Sequence, residues 1–183
     1  MLRLTLLKAE AIQVGVPHIE TQPTRLAGRA ASRDAVLAGL STHTVFHLST
    51  HGVAGWAEAL NSRLLLADGD LTLAELLDMH LPGARLAILS ACETGIPGTR
   101  QINEVISLPA GLVQAGVAGV AASRWSVPDI STAMLMARFY DLWREECGPP
   151  HIALRQAQIW LRDSTDGEKQ AFFEKDLPEF STV

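Results

Sequence analysis

The sequence predicts an α/β fold in which helices cover both faces of a mostly parallel sheet. Apolar runs rich in β-branched residues alternate along the chain with segments whose apolar residues recur at helical spacing. The strand-like runs are almost continuously apolar, which is typical of parallel strands buried on both faces. The 183 residues, of which 48% are hydrophobic, suit one domain with an ordinary core.

The first elements follow from alternation and capping. The stretch LRLTLL alternates well enough to form a strand. In SRDAVLAGL, Ser32 can cap a helix and Asp34 lies in its first turn. The β-branched run THTVFHLST then reads as a buried strand that ends at His51 and Gly52.

The middle of the chain repeats this order. RLLLA predicts a short strand, DGD a turn, and Thr72 the cap of a helix closed by Pro82 and Gly83. ARLAILSAC predicts a second buried strand. ISLPAGLVQAG predicts a helix ending at Gly116, and VAGVAASRW a third buried strand.

Two helices and a tail complete the chain. VPDISTAMLMARFYDLWREE predicts a long amphipathic helix, and GPP at 148–150 separates it from a last helix, HIALRQAQIWLRD. From Ser164 onward the sequence is polar and lacks clear periodicity. We therefore expect a domain at 1–165 and a loosely attached polar tail at 166–183.

Composition excludes several classes of partner and places the chain in the cytoplasm. A formal charge of −5 with scattered basic residues gives no footprint for nucleic acid or an anionic membrane. The start has too short an apolar stretch for a secretory signal, and the run from Ser107 to Ser123 falls short of the ~20 apolar residues that a membrane helix needs. Two cysteines without extracellular features indicate free thiols.

His51 and Cys92 each end a predicted strand, in HLSTHG and LSACETG. Function gathers at the carboxyl ends of parallel strands, and neighbouring strands lie about 4.8 Å apart, so the two side chains can reach one substrate if their strands are neighbours. A thiolate is a nucleophile and an imidazole transfers protons near neutral pH. Glycines 52 and 95 leave backbone N–H groups open to an oxyanion.

Structural readings of the same residues stay open. Alone, Cys92 could be a small buried hydrophobe and His51 a turn residue. His43, His47 and His51 would line one face of a helix as metal ligands, but in a strand the first two lie about 13 Å apart, so we expect no metal site. Cys147 reads as structural or incidental.

These two motifs, followed by GLVQAGVAGVAASRWSVPD, TAMLMARFYDLW and ALRQAQIWLR, closely resemble the CHAT domain, one of the caspase-like cysteine peptidases alongside separase and the caspases. The resemblance runs from about Leu7 to about Thr165. It implies a caspase-like three-layer α/β/α sandwich. It also implies that His51 is the catalytic histidine, Cys92 is the nucleophile, and the N–H groups of Gly52 and Cys92 form the oxyanion hole.

The activity implied is cleavage of a protein or peptide substrate through a thioester, with no metal or other cofactor and with a possible regulatory protein partner. A catalytically silent interaction or signalling module is the alternative. The chain departs from its relatives at Asn103-Glu104 and at Arg124-Trp125. The family's usual first strand and preceding helical repeats are not recognisable, so we expect a domain truncated at its N-terminus.

The segment RWSVPD predicts a wall of the substrate pocket. We expect the strand ending near Trp125 on the far side of Cys92 from His51. In separase, which has a similar tryptophan-containing segment, acidic residues accept arginine, so the resemblance makes Asp129 a candidate partner for a basic substrate side chain. Asp129 also stands where the N-cap of the next helix belongs, and one residue could serve both roles.

Overall fold

The computed structural model describes residues 3–7, 24–53, 55, 59–90, 107–125, 127–146 and 148–176. Within these ranges the chain forms two compact units. The first unit ends at residue 125, and the second begins at Val127. The first unit contains the strands and the first three helices. The second contains the last three helices.

The elements of the first unit are, in chain order, β1 (Arg3–Leu7), β2 (Thr24–Ala27), α1 (Arg33–Thr42), β3 (Val45–Ser49), β4 (Gly52–Val53), β5 (Arg63–Leu65), β6 (Asp70–Thr72), α2 (Leu73–Asp78), β7 (Leu86–Leu89), α3 (Leu108–Gln114) and β8 (Val120–Ala122). Those of the second unit are α4 (Asp129–Glu146), α5 (Pro150–Asp163) and α6 (Asp166–Asp176).

Five strands form the main sheet, in the order β2-β1-β3-β7-β8. β3, β7 and β8 are parallel neighbours, whereas β1 runs antiparallel between β2 and β3. The mixed α/β class with a parallel centre is therefore confirmed. A small antiparallel sheet, β4-β5-β6, follows directly from the end of β3.

The central strands are buried on both faces. Alternate side chains of a strand lie on opposite faces, and Phe46 and Leu48 of β3 join one apolar core with leucines of all three helices of the first unit. On the other face, Val45 of β3 and Ile88 of β7 are only 2% and 1% exposed. Burial on both faces explains why these strands read as continuous apolar runs.

Local signals begin the helices at the expected residues. Ser32 accepts a hydrogen bond from the Ala35 N–H at 3.4 Å and caps α1. Thr72 and Glu75 form a capping box at the start of α2, and Arg33 at the start of α1 pairs with the same Glu75 carboxylate. Because these bonds satisfy donors at the helix start, they fix where each helix begins.

Gly116 ends α3 with a φ of +108°, a conformation that other residues adopt at a cost. A Cβ at this position would also lie 3.2 Å from the backbone of Leu81. The chain can therefore turn into β8 here because Gly116 has no side chain.

The second unit is helical. In α4, Phe139 stacks on Trp143 with 5.4 Å between ring centroids. Trp160 of α5 contacts Phe172 of α6 at 4.7 Å. Residues 166–176 thus form a helix, where the sequence indicated an aperiodic polar segment. The domain boundary at 165 stays a prediction.

The described helices include none that is both long and apolar enough to cross a membrane.

Candidate active site

Hydrogen bonds to β5 hold the backbone at the end of β3. The Leu65 N–H donates to the His51 carbonyl at 2.9 Å, and the Thr50 hydroxyl donates to the Leu65 carbonyl. The His51 residue itself is exposed. His51 is therefore accessible to solvent, while hydrogen bonds from Thr50 and to its own carbonyl hold this part of the chain against β5.

The N–H of Gly52 points away from the small sheet. In an antiparallel ladder, hydrogen-bonded pairs alternate with pairs whose backbone groups point outward. Since the Leu65 N–H bonds to the His51 carbonyl, the next pair in the ladder, Gly52 and Leu64, is of the outward kind. Among the described strands β4 lies at the edge of the small sheet, so the Gly52 N–H is directed outward from that edge.

The end of β7 is attached to β3 by two hydrogen bonds. The Ser90 N–H donates to the Leu48 carbonyl at 3.0 Å. The Ser90 hydroxyl lies 2.6 Å from Nε2 of His47. Ser90 is therefore tied to β3 by its backbone and by its side chain.

Burial changes the protonation of His47. The residue is half-buried, but protein surrounds its imidazole, and this desolvation lowers the pKa to about 4. His47 is therefore neutral at pH 7. His43 follows α1, His47 lies in β3 and His51 follows that strand, so the three histidines share no helix face.

The strands that lead to His51 and Cys92 are adjacent and parallel. His47 of β3 is in register with Ile88 of β7, and each candidate residue follows its member of this pair by four positions. Cys92 itself, like Gly95, Asn103-Glu104 and Cys147, lies outside the described residues. The two candidate residues can reach one substrate if the strands that lead to them are neighbours. β3 and β7 meet this condition.

The other predicted wall residues lie beyond β8. This strand is on the opposite side of β7 from β3, as expected for the strand that leads to RWSVPD. Trp125 is 68% exposed. Asp129 is exposed and is the first residue of α4, where the helix dipole favours a negative charge; it belongs to the second unit. Its role in a pocket stays a prediction.

The mixed sheet with three parallel central strands, together with the helices, agrees with a caspase-like α/β/α fold. The family model for the CHAT domain matches residues 2–174. The chain belongs to the CHAT family, which is related to the caspase-like cysteine peptidases. No curated protein matches the chain.

Sequence reasoning missed the bond between His47 and Ser90. It treated His47 only as a possible metal ligand and did not consider Ser90. A signal was present, because both are polar residues in apolar runs, and each lies in the same short motif as a candidate catalytic residue, His47 in HLSTHG and Ser90 in LSACETG. Only the register of β3 and β7 shows that the two polar side chains meet.

Proposed function

We propose that the chain is a cytoplasmic cysteine endopeptidase domain that cleaves a protein or peptide substrate with Cys92 as the nucleophile and His51 as the proton donor. The family relationship supports the chemistry. The observation that carries the proposal is the pairing of β3 with β7, which gives His51 and Cys92 the same four-residue distance from a pair in register.

Each group has a defined task. The Cys92 thiolate attacks the scissile carbonyl carbon, and the N–H groups of Gly52 and Cys92 bind the resulting oxyanion. As the C–N bond breaks, His51 gives a proton to the departing amine, leaving an acyl thioester on Cys92. Water then attacks the thioester, and the products are a carboxylic acid and the regenerated thiol. The outward direction of the Gly52 N–H supports its task.

The test is cleavage of a fluorogenic peptide library by four variants. Cys92→Ala should abolish cleavage and His51→Ala should lower kcat by about 10²- to 10⁴-fold, the usual contribution of a positioned acid or base. Cys147→Ala and His80→Ala are matched controls with wild-type rates expected, since His80 is an exposed loop residue beyond α2. We expect each variant to keep its unfolding free energy within about 1 kcal/mol, because His51 and His80 are exposed and neither cysteine is expected to belong to the core.

Two outcomes would contradict the proposal. Activity that survives Cys92→Ala would exclude this nucleophile. A His51→Ala or Cys92→Ala variant that is unfolded would instead assign that residue a structural role.

We further propose that Asp129 gives the site a preference for a basic side chain before the scissile bond. An Arg–carboxylate contact that the bound substrate partly shields from water is charge-assisted and would favour arginine over a neutral side chain by about 1.5–3 kcal/mol. Asp129→Asn keeps a side chain of almost the same shape at the first position of α4 and removes its charge. Profiling peptides with Arg, Lys, Met, Leu or Asp at this position should show a basic preference that Asp129→Asn loses. A preference unchanged in the variant would exclude this role.

A further inference from the structure

A hydrogen bond joins His47, in the middle of β3, to Ser90, the residue that follows β7. His47 precedes His51 by four residues, and Ser90 precedes Cys92 by two. The two polar side chains lie on the same face of the sheet, with Nε2 of His47 2.6 Å from the Ser90 hydroxyl. This contact links the segments that carry the two proposed catalytic residues.

Packing alone gives no reason for a polar pair at this place. On the same face, Val45 and Ile88 are apolar and almost completely buried. Enclosing an imidazole costs free energy, and an apolar pair of similar shape can replace a buried hydrogen-bonded pair with little loss of stability. An apolar contact, however, has no directional preference. A hydrogen bond fixes distance and angle between the two strands.

Ser90 is the last described residue before Cys92, and its backbone is also held. The bond from its N–H to the Leu48 carbonyl fixes the position of Ser90 along β3. The hydroxyl bond to His47 adds a second point of attachment on the neighbouring residue of the same strand. Two attachments fix both the position and the orientation of Ser90, whereas the backbone bond alone would permit rotation about it.

We propose that His47 and Ser90 are positioning residues that set the approach of Cys92 to His51, an inference that rests on the proposed peptidase function. Neither residue touches the substrate. A thiol that is displaced by about 1 Å from its productive position reacts up to about 100-fold more slowly, so the bond acts on the chemical step and leaves substrate binding unchanged.

The experiment compares kcat and KM across variants of the pair. Ser90→Ala and His47→Leu should each lower kcat by about 10- to 100-fold and leave KM within about two-fold. Ser90→Thr keeps the hydroxyl, and His47→Gln keeps a polar group at the place of Nε2, so each should recover most of kcat. The loss of kcat in the double variant of Ser90→Ala and His47→Leu should be clearly smaller than the product of the two single losses, because both changes remove the same bond.

Ser32→Ala is the control for a purely structural effect. It is the same substitution at another half-buried serine, it removes the α1 cap, and it lowers stability without touching the end of β7. Its kcat should equal that of the wild type. A Ser90→Ala kcat equal to that of Ser32→Ala, or losses that multiply in the double variant, would overturn the proposal.

The rate at which iodoacetamide alkylates Cys92 separates this inference from the proposed function, because it requires no substrate. If the wild type cleaves no peptide, the peptidase proposal fails, and the alkylation rate still decides the role of the pair. A Cys92 rate that falls in Ser90→Ala and returns in Ser90→Thr supports positioning. An equal rate in all of these variants, or recovery of neither rate nor kcat by Ser90→Thr in a folded protein, overturns it.

Discussion

His47 is an ionisable side chain that the fold keeps uncharged. Protein surrounds the imidazole and lowers its pKa to about 4, against 6.5 when the residue is solvated. The unfolded chain therefore binds a proton between these pH values that the folded chain does not. Burial of a neutral histidine thus makes stability depend on pH in a direction that can be worked out.

The contribution of His47 to the unfolding free energy should increase as the pH rises from about 4 to 6.5 and should stay constant above pH 6.5. The gap between the two pKa values corresponds to about 3 kcal/mol. Urea unfolding of the wild type and of His47→Gln at pH 4.5, 5.5 and 7.5 measures this, since glutamine does not titrate.

Carboxylates also lose stabilising charge in acid. Hydrogen bonds from Thr72 lower the pKa of Glu75, for example, but this contribution is common to both proteins. The difference between the two pH profiles therefore isolates His47. His80→Gln, at an exposed histidine, should reproduce the wild-type profile. Parallel profiles for the wild type and His47→Gln would show that His47 does not resist protonation.

Among the elements, α3 packs so closely on α2 that a side chain at Gly111 would force Leu73 to move. A Cβ on Gly111 would lie 2.2 Å from a terminal methyl of Leu73, which is fully buried in the core. That methyl would have to move within a filled interior, and such overpacking costs energy. Glycine is less favourable than alanine in an isolated helix, but at this contact between α2 and α3 it is the more favourable of the two.

Gly111→Ala should lower the unfolding free energy by about 1–3 kcal/mol, despite the higher helix propensity of alanine. Gly167→Ala in α6 is the matched control, because its Cβ would meet nothing within 4 Å. This second change should stabilise the protein by up to about 1 kcal/mol. Chemical denaturation of both variants tests the contrast, and a stabilising Gly111→Ala would disprove the contact.

The sequence predicted those elements whose signals are local. Ser32 and Thr72 marked helix starts correctly because a cap depends on residues within one turn. β3, β7 and β8 were predicted from continuous apolar runs. β2 and the extent of the small sheet were missed, because β2 is short and mostly exposed, and the pairing of β4 with β5 depends on partners distant in sequence.

At the scale of the molecule, the family match extends over residues 2–174 and so includes strands and helices of both units. The sequence predicted that His51 and Cys92 each follow a strand. The structure adds that the two strands, β3 and β7, are adjacent. The direction of the Gly52 N–H and the contact of His47 with Ser90 could not be predicted, since both depend on register. Motifs identify candidate groups, whereas register determines which of them meet.

The central claim is that Cys92 is a nucleophile assisted by His51, and thiol reactivity tests it without a known substrate. Iodoacetamide labelling at pH 7, mapped by mass spectrometry, compares Cys92 with Cys147 in the same molecule. The account predicts faster labelling of Cys92, because a thiol beside an imidazole has more thiolate character, and a slower rate in His51→Ala. Labelling of Cys147 at an equal or higher rate, or a Cys92 rate unaffected by His51→Ala, would contradict the claim and favour a catalytically silent interaction module.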